Sequence, residues 1–256
     1  MESLLNISSL SVHYGKGEEK VHAVQSVDFT IAHGEIFGLV GESGSGKSTI
    51  GKSIVGLVTP DQGSVMTYEG RDLTRLNRRE KHKVCKEIQM VFQDPYGSLN
   101  PRMKVGEALL DVMQVHGLKR NREERLDYAR ELFKAVGLSE NMLMRYPHEF
   151  SGGQRQRICI ARALVLEPKL IIADEPVSAL DVSVQAEVLS LMKRLQENRG
   201  IAFLFISHDL AVVRELCDRV AVMYAGKFVE SGDAEHVIDQ PSHDYTKRLV
   251  NAVPSL

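Results

Sequence analysis

Short apolar runs recur along the chain and predict buried strands that alternate with helices. The clearest strands are expected at 36–40, 88–92, 170–173 and 201–206. Helix-compatible segments are expected at 50–57, 73–86, 155–166 and through 188–195. Buried strands that alternate with helices are typical of an α/β protein.

Two other stretches follow different patterns. Residues 4–12 form a mixed, strand-like segment, and residues 24–31 alternate apolar and polar positions as a half-buried antiparallel strand does. We therefore expect a small antiparallel β-subdomain at the N-terminus. Residues 105–137 instead carry apolar positions at helical spacing, with a break at 116–117, and predict two amphipathic helices.

We interpret the chain as a single domain, residues 1–256, built from two parts. The α/β core is expected at about 1–93 and 158–256, and a helical subdomain is expected to be inserted at about 94–157. No strand pattern interrupts that inserted block.

Composition narrows the functional classes. With 256 residues, 43% hydrophobic and 26% charged, the chain has the make-up of an ordinary globular protein. A net charge of -2 gives no basic footprint for nucleic acid, and the three cysteines are too scattered for a metal cluster. We see neither a signal peptide nor an apolar run of the ~20 residues that a membrane span needs. We expect a cytosolic protein whose membrane role, if any, requires a partner.

A glycine-rich segment lies between the strand at 36–40 and the following helix. It reads Gly-Glu-Ser-Gly-Ser-Gly-Lys-Ser-Thr and matches the phosphate-binding loop pattern G-x-x-x-x-G-K-[ST]. The glycines let several backbone N–H groups face one anion at a helix N-terminus. Lys47 is expected to reach the outer phosphates, and Ser48 to place its hydroxyl on Mg²⁺. The predicted nucleotide-binding residues are Gly41, Ser43, Gly44, Ser45, Gly46, Lys47, Ser48 and Thr49.

An acidic pair follows the strand at 170–173, and its two carboxylates suit different tasks. Asp174 is expected to hold Mg²⁺, directly or through water, and Glu175 to act as general base toward the attacking water. An acidic pair is often only the start of a loop, but its position after a phosphate loop favours the catalytic interpretation. His208 follows the strand at 201–206 and is placed to bond a γ-phosphate oxygen and the attacking water.

Three further features leave an alternative open. Tyr14 is placed to stack on a nucleotide base, or is a half-buried strand residue. Gln93 ends a strand, where it reaches the crevice in which α/β sheets bind ligands, or is a surface-loop residue. The helix at 155–166 is preceded by Ser151, Gly152, Gly153 and Gln154. These residues form either a second anion-binding site or a plain N-cap. Asp181 suits the N-cap of the helix through 188–195.

Taken in order, these motifs resemble those of the ATP-binding cassette family, the motor subunits of ABC transporters. Tyr14, 41–49, Gln93, 151–154, 170–175, 178–181 and His208 match the A-loop, Walker A, Q-loop, signature, Walker B, D-loop and H-loop. The resemblance implies an α/β, P-loop NTPase (RecA-like) core that binds ATP and Mg²⁺. It implies catalytic roles for Lys47, Gln93, Glu175 and His208, and metal contacts from Ser48, Gln93 and Asp174. Phe150 stands where the family usually has Leu.

The family resemblance also implies a head-to-tail dimer, in which each ATP lies between one phosphate loop and the partner's signature. A dimer resolves why one chain carries two anion-binding patterns. The match of 178–181 to the D-loop implies that Asp181 binds the nucleotide. The second ATP-binding subunit is expected to be a paralogue, or a copy of this chain. Gln93 is expected to couple the γ-phosphate site to the helical subdomain, which touches the membrane partner.

A finer resemblance indicates the cargo. Residues 91–102, 173–185 and 242–249 are similar to the peptide/nickel importer subfamily, with Asp244 where Pro is usual. This implies a subunit on the cytoplasmic membrane face that powers uptake of oligopeptides or dipeptides. Its partners would be two transmembrane permease subunits and, indirectly, an extracytoplasmic solute-binding protein, with no nucleic acid.

Other functions stay open on sequence alone. Nickel or a metal–metallophore complex is the alternative cargo. A soluble ABC ATPase and a P-loop kinase are alternatives of other classes. The cysteine-bearing tail of many relatives is absent, so we expect no iron–sulfur cluster.

Overall fold

The computed structural model describes residues 3–15 and 20–252. Its strands are β1 (Ser3–Tyr14), β2 (Val21–Ala32), β3 (Ile36–Val40), β4 (Val65–Tyr68), β5 (Arg71–Asp72), β6 (Ile88–Val91), β7 (Leu170–Asp174), β8 (Ala202–Ser207), β9 (Arg219–Tyr224) and β10 (Lys227–Asp233). Its α-helices are α1 (Lys47–Ile54), α2 (Arg78–Glu87), α3 (Pro95–Ser98), α4 (Val105–Val115), α5 (Arg122–Ala135), α6 (Gly152–Leu164), α7 (Val182–Arg199), α8 (Leu210–Leu216), α9 (Ala234–Asp239) and α10 (Asp244–Asn251).

The chain divides into two compact units. The first unit comprises Met1–Met90, Lys169–Glu175 and Leu195–Leu256, and the second comprises Val91–Pro168 and Pro176–Arg194. Residues 158–168 and 176–194, which the sequence-based division assigned to the core, lie in the second unit.

The first unit begins with a four-stranded sheet in the order β2-β1-β4-β5. The pairs β1–β2, β1–β4 and β4–β5 are all antiparallel, which confirms the predicted N-terminal β-subdomain.

A six-stranded sheet in the order β10-β9-β3-β8-β7-β6 contains the predicted buried strands. β3 runs parallel to both β8 and β9, and β7 runs parallel to β8. Every residue of β3, β7 and β8 is buried, as expected for parallel strands covered on both faces. Because parallel strands share a direction, β3, β7 and β8 deliver the residues that follow them to one edge of the sheet.

One hydrophobic core joins the two sheets and α1. Leu5 and Ile31 of the antiparallel sheet belong to the same buried cluster as Phe37 and Leu204 of the parallel sheet and Ile50 of α1. The burial of these side chains fixes the start of α1 against both sheets.

The helix predicted at 73–86 is shorter in the structure. α2 begins after Asn77, whose side chain accepts hydrogen bonds from the N–H groups of Arg79 and Glu80, while the Glu80 carboxylate accepts from the Asn77 N–H. This capping box fixes the first turn and leaves residues 73–76 outside the helix.

The second unit is mainly helical. The two helices predicted over 105–137 are present as α4 and α5, and they bury Leu109, Met113, Leu132 and Phe133. Short 3-10 helices at Glu140–Met144 and Pro147–Glu149 lead into α6. Within the residues that the structure describes, no helix is long and apolar enough to span a membrane.

The α6 helix contains a buried polar side chain without a hydrogen-bond partner in the described part of the chain. Gln156 is 0% exposed, and neither its amide nitrogen nor its amide oxygen has a hydrogen-bond partner among the described residues. A buried polar group without a partner destabilises a fold by about 1–3 kcal/mol.

We therefore expect Gln156→Met, which keeps the side-chain length, to raise the free energy of unfolding by about 1–3 kcal/mol. Chemical denaturation of wild type and variant measures the difference. Gln185→Met is the matched control, because the Gln185 amide donates to the carbonyl oxygens of Val177 and Leu180 at 3.0 and 3.1 Å. That control is expected to lose stability, and a loss in the Gln156 variant as well would contradict the interpretation.

Candidate nucleotide site

The predicted phosphate loop joins β3 to α1 through glycines that no other residue could replace without strain. Gly41, Gly44 and Gly46 have φ values of 147°, 80° and 112°. A Cβ atom on Gly41 would lie 2.1 Å from the Met223 carbonyl oxygen, and one on Gly46 would lie 2.1 Å from the Ala23 carbonyl oxygen. Gly46 is also the N-cap of α1 and provides no side-chain cap, so the helix presents its first N–H groups to an anion.

Segments distant in sequence hold this loop. The Gly226 N–H, in the turn after β9, donates to the Ser45 carbonyl oxygen at 3.0 Å. The same glycine's carbonyl accepts from the Gln25 N–H at 2.7 Å, so β2 and the β9–β10 turn both support the loop. No pattern in the sequence indicates these contacts, because nothing near residue 226 marks it as part of a phosphate site.

Lys47 lies inside the loop and is 4% exposed. Its ammonium group donates to the carbonyl oxygens of Gly41 and Glu42 at 2.7 and 2.8 Å. Burial lowers the pKa of Lys47, and the nearby carboxylates of Glu175, Asp174 and Glu42 oppose that shift. The ammonium group thus donates to neutral carbonyl oxygens. Phosphate oxygens in their place would accept stronger, charge-assisted hydrogen bonds.

Ser48 and Asp174 meet beside the lysine. The Ser48 hydroxyl donates to Asp174 Oδ1 at 2.8 Å, and Asp174 is 4% exposed. Burial raises the pKa of Asp174, while the Ser48 hydrogen bond and the charges of Lys52 and Lys47 partly offset the rise.

This pair fits a magnesium ion. The described residues contain no group of three or more His, Cys, Asp or Glu side chains able to hold a metal. Mg²⁺ is usually bound by one or two protein oxygens together with substrate phosphates and water. The hydroxyl of Ser48 and the carboxylate of Asp174 are oxygens of that kind.

Glu175 and His208 form the third part of the site. Glu175 Oε2 lies 3.4 Å from His208 Nδ1, with the carboxylate largely buried and the imidazole half-exposed. Glu175 adopts a left-handed backbone conformation, φ 46°, and its N–H donates to the Ile206 carbonyl oxygen at 3.0 Å. A carboxylate base beside an orienting imidazole is an arrangement able to accept a proton from water.

Tyr14 ends β1 close to the same helix. It is 45% exposed, and its hydroxyl oxygen lies 3.4 Å from Thr49 Oγ1. The side chain is thus neither buried in the sheet nor distant from the loop, and its contact with a base stays a prediction.

The remaining predicted residues belong to the second unit. Ser151 is the N-cap of α6: its hydroxyl accepts from the Gln154 N–H at 3.3 Å, and its N–H donates to the Gln154 amide oxygen at 3.1 Å. The plain N-cap is therefore present, and anion binding there stays a prediction. A Cβ on Gly153 would lie 2.1 Å from Val184 Cγ1, so packing against α7 also requires that glycine.

Asp181 and Gln93 complete the set in that unit. Asp181 Oδ1 accepts from the Val184 N–H at 3.1 Å and from the Ser183 hydroxyl at 2.8 Å, which confirms the predicted N-cap of α7. These hydrogen bonds lower the pKa of Asp181. Gln93 follows the end of β6, and its coupling and metal-binding roles stay predictions.

A family model described as ABC transporter matches residues 24–178, more than half of the chain. The chain is 51% identical over 252 residues to the putative oligopeptide transport ATP-binding protein YkfD of Bacillus subtilis, covering 98% of this chain and 76% of that protein. It is 48% identical over 254 residues to the oligopeptide transport ATP-binding protein OppF of Streptococcus mutans, covering 99% of this chain and 82% of that protein.

A solved structure has the same fold. The ATP-binding cassette MJ0796, solved as a dimer in a post-hydrolysis state bound to ADP and Pi, aligns with a TM-score of 0.79 and 29% identity. The alignment covers 90% of this chain and 98% of that one. The P-loop NTPase fold expected from the sequence is therefore confirmed.

The buried carboxyl of Asp174 predicts a pH-dependent stability. Because the pKa of Asp174 is raised in the folded state, the protonated carboxyl favours folding. This contribution to stability is present below the ordinary carboxyl pKa and is lost as the pH rises through the raised pKa. Asp174→Asn, which keeps an oxygen acceptor for Ser48, is expected to melt above wild type at neutral pH. Thermal melting of the ligand-free protein from about pH 3 to 8 should show this difference closing in acid.

Asp239→Asn is a control of opposite sign, because the hydrogen bond and charge of Arg214 lower the pKa of Asp239. It should melt below wild type at neutral pH, again with convergence in acid. Melting of the Asp174 variant below wild type at neutral pH would contradict the burial argument.

Proposed function

The chain belongs to the ABC transporter family, and we propose that it is the ATP-hydrolysing subunit of an importer that takes up oligopeptides or dipeptides through separate membrane subunits. One observation carries the enzymatic part of this proposal. The first unit brings together a phosphate loop, a buried lysine, a serine–carboxylate pair and a carboxylate–imidazole pair at one edge of a parallel sheet. Open α/β sheets bind ligands at that edge, outside the carboxyl ends of the parallel strands.

In the proposed mechanism, each of these groups has one task. Lys47 moves its hydrogen bonds from the loop carbonyls to the outer phosphates. Ser48 and Asp174 would hold Mg²⁺, which would supply positive charge to neutralise the phosphates. Glu175 takes a proton from the attacking water, and His208 keeps that carboxylate oriented and contacts the γ-phosphate.

We further propose that two such subunits close on two nucleotides in a head-to-tail dimer. Ser151, Gly152, Gly153 and Gln154 would then contact the ATP held by the other subunit. The capping box of α6 supports this role, since a rigid helix N-terminus with its glycines at the tip offers oriented N–H groups to phosphate. Asp181 would lie at that same nucleotide. At the ATP bound by the chain's own loop, Tyr14 would stack on the base, and Gln93 would couple the γ-phosphate site to the helical subdomain.

The proposal of a peptide cargo is based on the names of similar proteins. Two proteins that align with almost the whole chain at 51% and 48% identity are named for oligopeptide transport. Import would require two transmembrane permease subunits, with this chain bound to their cytoplasmic side, and an extracytoplasmic binding protein that delivers the peptide. Nickel or a metal–metallophore complex finds no comparable support.

Glu175→Gln should lower ATP turnover by roughly 10²–10⁴, the range for loss of a general base, without weakening ATP binding. The amide keeps the size of the side chain and cannot accept the proton. Steady-state phosphate release and equilibrium nucleotide binding measure the two effects. Glu215→Gln, an exposed change in α8, is the control and should leave both values unchanged. Near-normal turnover in the Glu175 variant would contradict the assignment.

The same pair of variants tests the cargo. In cells that depend on this chain, Glu175→Gln should abolish uptake of a labelled oligopeptide, whereas Glu215→Gln should retain it. Loss of nickel uptake with intact peptide uptake would support the alternative cargo. Normal uptake of both would exclude a role in import of either.

The dimer is tested at the start of α6. Ser151→Arg places a long cationic side chain where the partner's nucleotide would lie, and should abolish ATPase activity at saturating ATP while the variant's own loop still binds nucleotide. Phosphate release and nucleotide binding are again the measurements. Ser139→Arg, an exposed serine in the same unit that caps no helix through its side chain, is the matched control. Unchanged ATPase activity in the Ser151 variant would contradict a shared site.

A further inference from the structure

The C-terminal helix α10 directly contacts the phosphate loop. The N–H of Glu42, the second residue of the loop, donates to the hydroxyl oxygen of Tyr245 at 3.1 Å, although the two residues are 203 positions apart. Tyr245 is 3% exposed, so this bond is shielded from water. No feature of the ATPase mechanism above uses it.

Glu42, which donates to Tyr245, also binds the ammonium group of Lys47. The Glu42 carbonyl oxygen accepts from Lys47 Nζ at 2.8 Å, while its N–H donates to Tyr245. The tyrosine therefore fixes one side of a residue whose other side positions the ammonium group. A shift of Glu42 would move the acceptor on which Lys47 rests.

The tyrosine is itself held from two directions. Its ring lies 4.3 Å from the ring of Tyr224, the last residue of β9 and the neighbour of Met223, whose carbonyl oxygen abuts Gly41. At the start of α10, His243 Nδ1 accepts from the Tyr245 N–H at 3.1 Å and caps the helix. Tyr245 thus connects the end of β9, the helix cap and the loop.

A half-buried carboxylate fixes the turn before α10. Glu230 accepts from the N–H and hydroxyl of Ser242 at 2.8 and 2.7 Å, and from the N–H of His243 at 3.1 Å. Burial opposes ionisation, but the neighbouring hydroxyl and backbone N–H groups outweigh it and lower the pKa of Glu230 to about 2. The carboxylate stays ionised at neutral pH and keeps its hydrogen bonds to Ser242 and His243. These bonds fix the turn that places Tyr245 against the loop.

We infer that Tyr245 is a positioning residue for the phosphate loop, which its hydroxyl holds in the conformation that receives the triphosphate. The inference deepens the proposed ATPase function and rests on it. Without the hydroxyl, the Glu42 N–H lacks its acceptor and the loop spends part of its time in other conformations. Apparent affinity falls with the fraction of molecules in the competent conformation, whereas a bound nucleotide restores that conformation before hydrolysis.

Tyr245→Phe tests this directly, because it keeps the ring against Tyr224 and removes only the hydroxyl. We expect KM for ATP to rise by about tenfold, the size of effect that one buried hydrogen bond supports, with kcat changed by less than about twofold. Equilibrium binding of Mg²⁺-free ATP should weaken to the same extent, which separates positioning from an effect on turnover. Melting of the ligand-free protein serves as the check on folding.

Tyr128→Phe is the matched control. The Tyr128 hydroxyl donates to Glu167 Oε1 at 3.1 Å, and both residues belong to the second unit. The same chemical change therefore removes a hydrogen bond in which no residue of the phosphate loop takes part. It should leave KM at the wild-type value. Equal KM values for Tyr245→Phe and wild type would overturn the inference, as would a fall in kcat at unchanged KM.

The outcomes separate this inference from the proposed function. If wild type itself neither binds nor hydrolyses ATP, the proposed function fails. If wild type is active and the Tyr245 variant matches it, only the positioning role fails. Should Tyr245→Phe fold poorly, Ser242→Ala, which removes one hydrogen bond from the turn and leaves the phenol in place, is expected to raise KM by a smaller factor; an unchanged KM there would also count against the inference.

Discussion

The site depends on a steric constraint: the phosphate loop runs so close to two carbonyl oxygens that a Cβ atom cannot be accommodated at either approach. Gly41 meets Met223 at the end of β9, and Gly46 meets Ala23 in β2. The loop is therefore clamped between the two sheets that share the hydrophobic core. This close approach sets the start of α1, and with it the positions of Lys47 and Ser48, relative to the carboxyl ends of the parallel strands.

The same burial leaves two opposite charges poorly solvated in the ligand-free protein. It lowers the pKa of Lys47 and raises that of Asp174, so the folded structure disfavours the ionised form of each side chain. The Ser48 hydroxyl and the nearby opposite charges offset these pKa shifts only in part. A ligand that contains both a triphosphate and a divalent cation would compensate both charges at once. Lys47 and Asp174 therefore suit a metal–nucleotide complex better than either component alone.

Local requirements made much of this site predictable from sequence. A glycine at positive φ, a lysine at the start of a helix and carboxylates at a strand end each depend on near neighbours, so the pattern of residues reports them. Contacts between distant segments leave no such pattern: nothing in the sequence connects Tyr245 with Glu42, or residue 226 with the loop. Gly153 is an intermediate case, because its packing against Val184 is a tertiary requirement that the sequence presents as a glycine-rich turn.

The acidic pair shows how one backbone bend gives adjacent carboxylates different surroundings. Asp174 is the last residue of β7, in register with Ile206, and reaches Ser48. Glu175 then turns into the left-handed region, held by the bond from its N–H to Ile206, and its carboxylate meets His208 instead. A non-glycine residue in that conformation costs of order 1–3 kcal/mol. Glycine would fit the bend more easily, so a carboxylate at this strained position agrees with a chemical rather than a structural role for Glu175.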